Sequence, residues 1–195
     1  MKKLFLILVT TLCITTINAQ NSEQGQGTTA EVIQSKSKAV TFMDKEGSFV
    51  MKEFFKLGKV KGVECDVLIL TDLKDKVKLG CLRLLTDNKS TIPYVGVLDS
   101  DEIADAVTCM EYIKNNVLPN QPNEEIEVYY YSRDNVKIGV YTHLPFNNTT
   151  QKPSWKIFVR TARWRDSAEY LDSKHLDKLI EYFKSAKKII EEKTR

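Results

Sequence analysis

The chain is 195 residues long, 42% hydrophobic and 28% charged, with 29 Lys and Arg against 26 Asp and Glu and a formal net charge of +3. So small a charge does not favour nucleic acid as a partner, because backbone phosphates are held by clustered positive charge. Beyond the N-terminus no stretch approaches the ~18 consecutive apolar residues of a spanning helix, so a membrane-embedded protein is not expected.

Met1 to Ala19 has the pattern of a secretory signal peptide: Lys2 and Lys3, a mostly apolar Leu4 to Ile17, then Ala19 before the expected cut. The mature chain is expected to begin at Gln20, in the periplasm or outside the cell, with a net charge of about +1 once the two lysines are lost. Cys13 follows Thr11-Leu12 and lacks the small neighbour of a lipid-modified cysteine, which speaks against a lipoprotein. The ending Ile17-Asn18-Ala19-Gln20 resembles the signal peptides of exported Bacteroidota proteins. Gln20 to Ser37 is polar and has too few large apolar groups to offset its ordering entropy, so it reads as a flexible arm.

From Ala39 the pattern turns to β, with Val40 and Phe42, then Phe49 to Val60 broken by Gly58, then Val63 to Thr71. Both faces of the last run become apolar, as in a strand covered on both sides. Val77 to Leu85 is the next strand, and Gly80 inside it marks a bulge or a close approach. Ile92 to Leu98 follows and runs into a helix in which Ile103, Ala106, Val107, Met110, Ile113 and Val117 recur at helical spacing until Pro119. The second half repeats the plan, with strands over Glu125 to Ser132, Val136 to His143, Trp155 to Ala162 and Ala168 to Leu171. It closes on an amphipathic helix burying Leu176, Leu179, Ile180, Phe183, Ala186 and Ile190.

Both helices open on the same signal, Leu98-Asp99-Ser100 and Leu171-Asp172-Ser173. Each Asp is placed to cap its own helix, and Leu98 with Ile103 and Leu171 with Leu176 form hydrophobic staples. Glu102 completes a capping box in the first copy, while His175 is not expected to do so in the second. The fold class is therefore α+β: two tandem antiparallel β-meander-plus-helix units, about four strands then one helix, twice, sharing a core. The arm is followed by one globular domain over 38–195, its repeats at 38–119 and 122–195. The repeat register is uneven. Asp99 and Asp172 are 73 positions apart but Gly80 and Gly139, in the similar Val77-Lys78-Leu79-Gly80 and Val136-Lys137-Ile138-Gly139, only 59. Either the second unit has an extra strand or that likeness is chance. The tandem β-β-β-β-α order resembles the Whirly, PC4 and PUR single-strand-binding folds, a likeness of topology that brings no motif residues with it.

Catalysis has no visible seat. Asp99, Asp101, Glu102 and Asp105 fall in the first turns of a helix, where capping and solvation account for them. His143 and His175 lack zinc spacing, no calcium loop is present, and no cofactor or metal is expected. Cys65, Cys81 and Cys109 remain after the cut, either as small buried apolar residues or with a Cys65–Cys81 or Cys65–Cys109 bridge. Asn147 to Thr150 holds overlapping glycosylation sequons, and Asp166-Ser167-Ala168 resembles the Bacteroidota O-glycosylation acceptor.

Alternation along the second set of strands puts Ile126, Val128, Tyr130, Val136, Ile138, Val140, Trp155, Ile157 and Val159 on an inner face. The outer face then gathers Tyr129, Tyr131, Arg133, Lys137, Tyr141, His143, Lys156, Phe158, Arg160 and Trp164. Rings beside cations suit stacking on sugars or aromatic groups, with Arg and Lys meeting carboxylate or sulfate. Equally, good strand formers on a half-wet surface, or packing on the other repeat, account for the pattern. The expected function is that of a non-enzymatic exported binding module of the periplasm or cell envelope. Its partner is an envelope protein or a polysaccharide, and Tyr129, Tyr131, Arg133, Tyr141, Lys156, Phe158, Arg160 and Trp164 are the candidate contacts. A carbohydrate-binding accessory protein and a hydrolase with an unrecognised site are the alternatives.

Overall fold

The computed structural model describes residues 37–86, 92–144, 152–163 and 167–195. The expected signal peptide, the arm up to residue 36, the Asn147 to Thr150 sequons, Trp164 and Asp166 lie outside them. Runs of β-branched and aromatic residues separated by polar turns form two antiparallel meanders. Sheet 1 has β1 (Val50–Val60), β2 (Val63–Asp72), β3 (Lys78–Thr86) and β4 (Tyr94–Asp99) in chain order; sheet 2 has β5 (Glu127–Tyr131), β6 (Lys137–His143), β7 (Ser154–Arg160) and β8 (Ala168–Leu171). Among the described residues each sheet has four strands and the second unit has no extra one, and the two Val-Lys-x-Gly stretches open the third strand of one sheet and the second of the other. Their likeness is not a repeat equivalence.

The helices are exchanged between the units. α2 (Ile103–Tyr112) follows sheet 1 in the chain yet packs on β5 and β6, whereas α3 (Leu176–Lys193) follows sheet 2 and packs on β1, β2 and β3. The two helices also pack on each other, so the inner faces of both sheets and both apolar helix stripes build one core. All six α3 residues read as apolar at helical spacing are buried in it. Gly80 shows why it is glycine: a Cβ there would stand 2.6 Å from Cγ2 of Ile190, so α3 lies directly on β3. The ladder passes Gly80 without a register shift; the irregularity lies in β1 between Lys56 and Gly58, where Gly58 takes φ +142°.

The segment read as a strand through Val40 and Phe42 is instead a helix, α1 (Lys38–Met43). Six residues are too few to separate a period of 2 from one of 3.6, and the deciding contacts are tertiary. Ser37 caps α1 by accepting the Val40 amide, and Ala39 packs on Leu68, Leu70, Cys81 and Val97 of the outer face of sheet 1. β2 is thus covered on both sides, as its apolar faces require. Cys65 faces Leu84 across the ladder and Cys81 faces Leu68, which puts the two thiols on opposite faces of the sheet. Cys65, Cys81 and Cys109 are all free.

The two caps also differ from their reading. Asp99 does not cap its own helix; its carboxylate accepts the amides of Lys38 and Ala39 at the start of α1. Glu102 does reach back, accepting the Asp99 amide at 3.0 Å. In the second copy His175 closes the capping box after all, its Nδ1 accepting the Asp172 amide at 3.3 Å, because a neutral imidazole nitrogen accepts as a Gln oxygen does. The expected α2 continues, but Ile113–Val117 is wound as a π turn rather than an α turn.

Candidate functional site

Cross-strand register orders the outer face of sheet 2 into rows. Tyr131, Lys137, Arg160 and Ala168 form one, Tyr129, Gly139, Phe158 and Tyr170 the next, and Glu127, Tyr141 and Lys156 a third. The first row is cationic, the second aromatic, the third mixed. None of α1, α2 or α3 covers this face, in contrast to the outer face of sheet 1 under α1.

Between the rows lies a depression of about 460 Å³, walled by Tyr141 and Tyr170 with Phe158 at its floor. The Tyr141 ring stands 6.1 Å from Phe158 and 6.0 Å from Tyr170, the latter edge to face, a geometry that favours aromatic pairs. Arg160 enters the same depression with its guanidinium carbon 5.6 Å from the centre of the Phe158 ring. Its Nε is buried, and among the described residues it has no hydrogen-bond partner and no carboxylate forms an ion pair with Arg160. At the opposite end stand Glu127, two outward-facing rows from Arg160, and Glu125 just before β5. The depression is therefore bipolar, with aromatic walls between a cation and two carboxylates. Burial, with Tyr170 beside it, pushes the Tyr141 phenol above its ordinary pKa, so it stays a neutral donor.

The structure brings most of the sequence-selected residues onto this face and separates others. Tyr129 and Tyr131 are exposed beside the depression, with the Lys137 ammonium 4.1 and 5.3 Å from their ring centres. Lys156 is exposed next to Tyr141. Phe158 points outward as expected but is only 2% exposed, so it shapes the floor rather than offering a free ring. Trp164 lies outside the described residues. Arg133 is not on the face at all. It sits in the β5–β6 turn, where its guanidinium meets Asp99 Oδ2 at 2.9 Å and Asp101 Oδ1 at 2.5 Å, while its amide donates to Glu102 Oε1 at 2.8 Å. This revises the reading of the acidic cluster too: Asp99 and Glu102 are buried and tie the two units together rather than being solvated. Ile126, read as inner, is 41% exposed; its carbonyl still accepts the Thr142 amide at 2.8 Å, but it lies at the open edge of the sheet, just before the edge strand β5.

Tyr170 was missed, although Leu171 faces inward and period 2 then turns Tyr170 out. Trp155, read as core, is half-buried and donates its indole N–H to the Asn120 carbonyl at 2.6 Å. Desolvation pushes the Cys65 and Cys81 thiols up to about 12 and raises that of the half-buried Cys109, which disfavours the thiolate form a nucleophile needs. Among the described residues no three His, Cys, Asp or Glu side chains are placed to hold a metal ion, and no helix is long and apolar enough to cross a membrane.

Comparison with known proteins finds no matching family model, no similar curated protein and no matching solved structure. Function must be argued from the site itself.

Proposed function

We propose that the protein is a non-enzymatic exported binding module of the periplasm or cell envelope, holding a ligand with an anionic group against the outer face of sheet 2. The observation that carries this reading is Arg160. A buried guanidinium nitrogen without a partner is costly, and an incoming carboxylate or sulfate supplies the missing acceptor in a site partly shielded from water. Tyr141 and Tyr170 provide apolar walls, and Glu125 and Glu127 accept from hydroxyl or amino groups at the other end. The Met1 to Ala19 pattern supports export.

An acidic polysaccharide is the form of this ligand that the depression favours, because ring walls, an arginine and carboxylate acceptors together match a charged, hydroxylated ring. The test is native electrophoresis through gels containing polygalacturonate or neutral dextran. Retardation by polygalacturonate, lost in Arg160→Gln and weakened when Tyr129 and Tyr131 are both alanine, is expected. Equal mobility in the two gels removes the polysaccharide reading. Envelope proteins retained equally by the wild type and Arg160→Gln remove this face from the function altogether.

A further inference from the structure

A second cavity lies on the other side of Ile126, between the end of α2 and the edge of sheet 2, and it has a different chemistry. Its volume is about 400 Å³, within the range of small-molecule sites. Trp155, Val117 and Val128 supply its apolar surface. The indole is not free to swing, since its N–H is held by the Asn120 carbonyl.

The polar part of the lining is unusual in being amide rather than charge. Asn116, Asn120, Gln121 and Asn123 all contribute, and among the described residues the one charged side chain of the lining is Glu124. Asn116 donates its amide N–H to the Tyr112 carbonyl at 3.3 Å and Asn120 donates to the Asn116 carbonyl at 2.7 Å, which leaves their amide oxygens to accept. Gln121 and Asn123 are exposed and offer both donors and acceptors. The π turn over Ile113–Val117 carries Asn116 and Val117 into the lining. Such turns cost stability relative to an α turn and recur at functional sites.

We infer that this cleft binds a neutral saccharide, with Trp155 as the surface on which a sugar ring stacks and the four amides as its hydroxyl partners. The Glu124 carboxylate in the lining disfavours an anionic ligand here, while a hydroxylated ring with one apolar face matches both halves of the lining. This site stands on observations separate from those at Arg160 and does not depend on them. Ile126 lines both cavities, so the two sites are neighbours.

The test uses the full chain carrying Trp164→Phe, so that Trp155 alone reports. Its emission is followed while cellotriose, maltotriose or triacetylchitotriose is added. A saturable change with at least one of the three is expected. It should weaken at least about tenfold when Gln121 and Asn123 are both alanine, the loss of roughly two hydrogen bonds, and stay unchanged in Arg160→Gln. The unfolding temperature of the double variant is measured alongside, and since both side chains are exposed it should match the parent. No saturable change with any of the three sugars overturns the inference, as does a change that survives the double substitution. A saturable response to decaproline, with none to the sugars, assigns the cleft to a peptide instead.

Discussion

Oδ1 of Asp99 accepts the backbone amide of Ala39 at 2.9 Å, joining the end of β4 to the start of a helix 60 positions earlier in the chain. The same carboxylate also accepts from the Ser37 hydroxyl and the Lys38 amide, and meets Arg133. Asp99 is 1% exposed, and Ser37 and Ala39 are buried with it, so water does not readily replace the carboxylate there. Asp99→Ala is therefore expected to cost about 3 kcal/mol or more, and Asp99→Asn less, because an amide keeps one acceptor oxygen. Urea unfolding followed by circular dichroism measures both. A loss no greater than at an ordinary surface site would falsify this role for Asp99.

Arg133 continues the latch into solvent. Hydrogen bonding from its guanidinium, with Lys38 nearby, holds the Asp101 carboxyl down at about 2, below the ordinary 3.8. A depressed folded-state pKa means the pair stabilises above about pH 4, and that contribution is lost as pH falls through about 2. Asp101 is about half exposed, so screening limits the effect to roughly 1 kcal/mol. Wild type and Asp101→Asn should differ in urea midpoint at pH 5 and converge near pH 2. A constant difference across that range means the carboxylate charge is not what matters.

The seating of α3 on β3 can be tested at Gly80. Adding a Cβ drives into Ile190 and Ile69, so Gly80→Ala should destabilise by about 1 to 3 kcal/mol. Ile190→Ala alone should cost about 2 to 4 kcal/mol by leaving a cavity. Combined, the two should cost clearly less than their sum, because the space vacated by one receives the other. Strict additivity argues that the two residues do not touch.

Thiol reactivity should follow burial. At pH 8 a thiol with a pKa near 12 is ionised about one part in ten thousand, so Cys65 and Cys81 should react with Ellman's reagent only on unfolding. Cys109 is half-buried and should react first. Mass spectrometry of the unreduced protein should find no Cys65–Cys81 bridge, since the two lie on opposite faces of sheet 1.

Local pattern alone determined the two meanders, both long helices and their buried stripes, because a period of 2 or 3.6 over many residues admits one amphipathic solution. It also placed Tyr129, Tyr131, Tyr141 and Arg160 on one face, for the same reason of alternation. What only the tertiary structure decided is which surfaces meet. α1, too short to carry a period, is a helix because Asp99 accepts its first amides and sheet 1 offers its apolar outer face. α2 and α3 exchange sheets, since an amphipathic stripe specifies burial but not the partner that provides it. Arg133 left the outer face for the same kind of reason. An arginine next to a turn is free to choose its partner, and the buried carboxylates of the other unit, remote in sequence, are stronger partners than solvent.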